Sequence, residues 1–62
     1  MENNWHSETK KRFSQLPIES LEYIRDDARQ AAKAGETFGN PKTGQYWDEY
    51  WYAVDEIARR SK

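Results

Sequence analysis

Five aromatic side chains crowd into seven consecutive positions of a 62-residue chain: Tyr46, Trp47, Tyr50, Trp51 and Tyr52. That density matters because so short a chain has few ways to stay folded. A domain of about 60 residues buries only roughly 60% of its unfolded surface and needs a staple, a metal, a partner or very good packing. There is no cysteine, which excludes disulfides and cysteine-based zinc sites. His6 is the single histidine, so a histidine-rich metal site is excluded too. Packing, self-association or a partner remains, and the rings are the material for it.

Proline and glycine divide the chain. Residues 1–6 carry no pattern and are expected to be a flexible N-terminus. The rest, 7–62, reads as a single helical domain. A short helical arm over about 7–15 would start at Ser7 as its N-cap and stop before Pro17. Its apolar groups, Trp5, Phe13 and Leu16, are too few for an independent face. A first main helix is expected over about 17–34, with Pro17 at its first position and Gly35 as a left-handed C-cap. Asn40 and Pro41 read as the N-cap and first residue of a second helix over about 41–60. Gly44 near its start costs roughly 1 kcal/mol against alanine. That cost suggests either a close backbone approach or a start nearer Thr43. The short connection predicts an antiparallel pair.

At ~100° per residue, Tyr46, Ile57, Tyr50, Val54, Trp47, Ala58 and Trp51 form one apolar arc on the second helix. Asp55, Asp48, Arg59, Gln45, Glu56, Glu49 and Arg60 occupy the other side, and Tyr52 falls among them. The first helix offers Ile18, Leu21, Ile24, Ala28, Ala31 and Ala32. In an antiparallel pair the alanines would face Tyr46, Trp47 and Tyr50, while Leu21 and Ile24 would face Trp51, Val54 and Ile57. Large against small is how facing layers interdigitate. Two helices meet along one narrow seam, so some ring surface is left over. The N-terminal arm, with Trp5 and Phe13, could cover part of it, and a second copy could cover more, making a four-helix bundle. Trp47, Tyr50 and Trp51 are therefore candidates for core or self-association. Tyr52 and Tyr23, off the two apolar faces, are candidates for a partner contact.

No catalytic constellation stands out. Asp26/Asp27, Asp48/Glu49 and Asp55/Glu56 are neighbours that point ~100° apart on a helix, so none makes a converging pair. There is no Ser-His-Asp set, glycine-rich phosphate loop or metal motif. No cofactor or small-molecule substrate is implied, and an enzyme is not expected. Ten basic and eleven acidic residues give a net charge of −1, unlike the basic footprint of a nucleic-acid binder. Arg25, Arg29 and Lys33 do form a stripe at four-residue spacing, but Glu22 and Asp26 partly neutralise it. No apolar run approaches the ~20 residues needed to span a bilayer, and the N-terminus lacks the apolar centre of a signal peptide. A cytoplasmic protein is the expectation.

The stretches "LPIESLEYIRDDARQAA" and "NPKTGQYWDEYWYAVDEIARR" resemble short uncharacterised proteins encoded by tailed bacteriophages and prophages. The shared features are a Leu-Pro-x-x-Ser-Leu helix start, an Asn-Pro turn, a Gly-x-Tyr-x-x-Glu segment and an Arg-rich end. They lie within residues 16 to 60. The resemblance implies a small helical accessory protein in the cytoplasm of a bacterial host, and it supplies no activity.

The expected fold is all-α: an antiparallel two-helix hairpin with a short N-terminal helical arm, pairing into a dimeric four-helix bundle. The expected function is a non-enzymatic protein–protein interaction module acting on a host component. The alternative is a small nucleic-acid-associated regulator using Arg25, Arg29 and Lys33.

Overall fold

The computed structural model describes residues 4–61. Among them are three α-helices and no strand: α1 (Trp5–Ser14), α2 (Ile18–Phe38) and α3 (Thr43–Arg60). None of these helices is long and apolar enough to cross a membrane. The expectation of a flexible segment over residues 1–6 falls partly outside the described residues, at 1–3. Trp5 and His6 belong to α1, which starts two residues before Ser7. Glu8 N donates to Asn4 O at 2.9 Å, and no side chain caps this end.

Helix α2 begins one residue after Pro17, which is extended at φ −62° and ψ 156°. The larger difference is at its C-terminus. Gly35 does not end the helix; α2 continues to Phe38, and Gly39 takes the left-handed conformation at φ 71°. The amides of Gly39 and Asn40 both donate to Gly35 O, the 5→1 bond of a left-handed cap and the 6→1 bond of a Schellman turn, which satisfy a last-turn carbonyl. Asn40 does not cap α3 directly. Its Oδ1 accepts from Lys42 N at 2.8 Å, and its carbonyl accepts the Thr43 hydroxyl at 2.7 Å. Pro41 and Lys42 are thus spent on a turn, and α3 starts at Thr43.

Gly35 has a different role, as a point of close approach between α2 and the start of α3. A β-carbon there would collide with Thr43 Oγ1 and lie 3.3 Å from Thr43 Cβ. Gly44, by contrast, has open space around it. The close approach considered for Gly44 therefore belongs to Gly35, and Gly44 is explained by a helix that starts beside it.

The core is small. Phe13 of α1, Leu21 of α2 and Ala53 of α3 are buried together, with Leu16, Ile24, Tyr52 and Ile57 packed around them. Ala28 and Ala32 bury the rest of the inner face of α2. The α2–α3 contact is the most extensive one, and α1 packs mainly on α3. Gly35 of α2 lies beside Thr43 of α3, and Leu21 and Ala53 share the core. The molecule measures 36 × 30 × 16 Å between α-carbons. Helix α1 lies against α3 and leaves Trp51 and Ala58 of that helix exposed.

Candidate interaction face

Helix α1 lies on the side of α3 that the apolar pattern marks as charged. Tyr52 is the reason. Its hydroxyl and His6 Nδ1 share a hydrogen bond of 2.6 Å, its ring stands 6.2 Å from the Trp5 ring, and Lys10 Nζ is 5.2 Å from its centroid. Tyr52 is thus a half-buried core neighbour that holds the arm, not a ring left over from packing. Arg60, on the same side, donates from Nη2 to the carbonyls of Phe13 and Ser14, both at 3.1 Å. A cation at the last carbonyls of α1 complements the negative end of its dipole. Glu56 accepts from Arg60 Nε at 2.8 Å and also pairs with Arg59. These bonds, Arg59 first and then Arg60, hold the Glu56 carboxyl below the usual range. Glu49 is the opposite case. Burial raises its carboxyl pKa, Arg12 opposes that, and Asp27 adds to it.

Only one edge of the aromatic arc faces outward. Trp51 is 55% exposed, Ala58 is exposed, and Trp47 and Val54 are half-buried. Leu21 and Ile24, expected to face Trp51, Val54 and Ile57, share the core with Ile57, Phe13 and Ala53, and Trp51 stands outside it. Ala53 is the buried pivot of α3, and the ring-centred pattern overlooks it. Trp47, Tyr50 and Trp51 form a ladder of edge-to-face rings, with centroids 5.5 Å and 5.0 Å apart. Trp47 Nε1 donates to Glu36 Oε2 at 2.8 Å, which ties the ladder to α2. The rings are held in place rather than loose.

The other sequence candidates scatter. Tyr23 is 72% exposed on α2, away from the ladder. Arg25 is engaged by Asp26 at 2.9 Å and lies within electrostatic reach of Tyr50. Arg29 and Lys33 are exposed on the following turns of α2. Phe38, which the sequence reading did not single out, is 84% exposed at the end of α2. A groove of 270 Å³ between α1 and α3 is lined by Lys10, Phe13, Tyr52, Asp55, Glu56 and Arg59. Its charges balance, and it belongs to the seam that docks the arm. No cluster of three or more His, Asp or Glu side chains suited to a metal ion occurs among the described residues.

The feature that stands apart is therefore the outer surface of α3: Trp47, Trp51, Val54 and Ala58, at spacings of four, three and four. That is the spacing of a heptad seam, the pattern by which one helix packs along another. No family model, no curated protein and no solved structure matches the chain.

Proposed function

We propose that the protein is a non-enzymatic interaction module, a helical hairpin that presents the outer seam of α3 to a protein partner. The observation behind this reading is Trp51, a 55% exposed tryptophan on a seam that α1 and α2 cover only in part. Tryptophan and tyrosine are the residue types enriched at interface hot spots. A fixed ring ladder also loses little freedom when it is covered. The phage-like sequence features suggest an accessory protein in a bacterial cytoplasm, with self-association or a host component as the engagement.

Capture from bacterial lysate together with sedimentation tests this. Trp51→Glu should keep the helical circular dichroism and lose both self-association and capture. Tyr23→Ala should change neither. If Trp51→Glu kept every association of the native chain, the seam would not be the binding face.

The alternative is a nucleic-acid-associated regulator, supported by exposed Arg29 and Lys33 on the α2 flank of the same face. Salt-dependent DNA retention that disappears on joint substitution of Arg25, Arg29 and Lys33 would favour it.

A further inference from the structure

We infer that the occupant of the α3 seam is a second copy of this chain, docked antiparallel about a two-fold axis that passes between the two α3 helices at the level of Tyr52 and Ala53. This rests on the reading of that seam as a binding face and adds the partner, its direction and its register. The argument is one of shape. The seam is large at one end, Trp47 and Trp51, and small at the other, Val54 and Ala58. Antiparallel pairing about that axis sets Trp47 against Ala58 of the second copy, and Trp51 against its Val54. Every layer then joins a large side chain to a small one, as facing layers require. Parallel pairing would place tryptophan on tryptophan and leave the valine and alanine layers open. Two-fold symmetry makes the same patch serve both copies.

Charge on α2 has the same polarity. Along its outer side Glu19 and Glu22 come first, Arg25 and Asp26 adjoin at the middle, and Arg29 and Lys33 follow, with Glu36 beyond them tied to Trp47. Face-to-face antiparallel pairing lays the acidic half of one α2 along the basic half of the other. A parallel pair would set like against like. One feature opposes the pairing. Asp48 and Asp55 flank the seam on its far side, and the same axis brings Asp48 near Asp55 of the second copy. That repulsion makes the register testable, because reversing one charge should convert it to attraction.

The chain has no cysteine, so Ser61→Cys accepts a single spin label. In the antiparallel dimer the two labelled positions should lie roughly 25–30 Å apart, against about 10 Å in a parallel one. Sedimentation across the micromolar range should show a dimer. Trp51→Glu should make it monomeric, and so should Ala58→Glu, an exposed position whose change leaves the fold intact. Asp55→Lys should tighten the dimer on the order of tenfold by changing two symmetric contacts. A native chain that stays monomeric overturns the inference; the module reading then survives only if Trp51→Glu still abolishes capture of a bacterial protein. A label separation near 10 Å overturns the direction, and weakening by Asp55→Lys overturns the register. A dimer unaffected by both seam substitutions sinks the inference and the binding face together.

Discussion

Arg60 and Phe13 stand 47 positions apart, yet the Arg60 guanidinium donates to the Phe13 carbonyl at 3.1 Å. One side chain at the end of α3 thus closes the end of α1, while the Phe13 ring beneath is almost wholly buried. The short arm has little helical stability of its own, since isolated helices under about 12–15 residues are marginal in water. Contacts of this kind keep it folded.

Arg60→Met should therefore act on α1 more than on the rest. It keeps the aliphatic packing and removes the bonds to Phe13, Ser14 and Glu56. We expect a loss of about 1–2 kcal/mol, that of charge-assisted bonds at a half-exposed helix end. Amide exchange should speed up in α1 well before α2. Uniform acceleration across all three helices would show that α1 is not a separately held element.

Tyr52 and Trp51 should rank in the reverse of the order their positions in the apolar pattern suggest. Tyr52→Ala removes a ring packed on Phe13, Leu21 and Ala53 and should cost about 2–3 kcal/mol. Trp51→Ala removes a ring that is 55% exposed and should cost about 1 kcal/mol or less in the monomer. Tyr52→Phe keeps the packing and loses only the hydroxyl bonded to His6, about 0.5–1.5 kcal/mol. Chemical denaturation at low protein concentration separates the three. Equal losses for Trp51→Ala and Tyr52→Ala would contradict the placement of α1.

The two rings also show what was legible in the sequence. Punctuation by Pro17 and by the Asn40–Pro41 step marks roughly where the long helices break, because proline imposes local geometry whatever packs nearby; the left-handed glycine does not follow, since the pattern favours Gly35 and the structure uses Gly39. The all-α class follows from that and from the helical period. Which side of α3 is buried does not follow. Ala53, the buried pivot, weighs little in any apolar count, whereas Trp47 and Trp51 dominate it. Glu49, Glu56, Arg60 and Tyr52 look like a solvated face until α1 lies against them. That contact spans more than 40 residues and depends on bonds no periodicity encodes, such as His6 to Tyr52. The outer seam shows in the sequence as leftover ring surface, but for the same reason the pattern does not sort its members between core and surface.

Two glycines should respond oppositely to alanine. Gly44→Ala meets open space within α3 and should stabilise by up to about 1 kcal/mol through helix propensity. Gly35→Ala gains the same propensity but drives a methyl group into Thr43, whose hydroxyl is already committed to Asn40 O. Overpacking of this kind costs about 1–3 kcal/mol, so the net effect should be destabilising. Adding Thr43→Ala should recover part of the loss, which a thermal melt of the double variant would show. A stabilised Gly35→Ala would mean that α2 and α3 are further apart at this end.

Two carboxyls on α3 should give pH dependences of opposite sign. Glu49 has a folded pKa raised mainly by burial, so folding favours its protonated form. Its contribution is full below the unfolded pKa and is lost as pH rises through the raised folded value. Glu49→Gln should then stabilise the protein at neutral pH, and the gain should vanish toward acid. Water screens this half-buried group, so the gain should stay below about 1 kcal/mol. Glu56 has a folded pKa lowered by Arg59 first and Arg60 second. Its contribution is full above the unfolded pKa and is lost as pH falls through the lowered folded value. Glu56→Gln should destabilise at neutral pH and converge with the native chain in acid. Denaturation curves of both variants across the carboxylate range, at low protein concentration, test the pair. Parallel shifts of the same sign would show that the two carboxyls do not occupy opposite electrostatic environments.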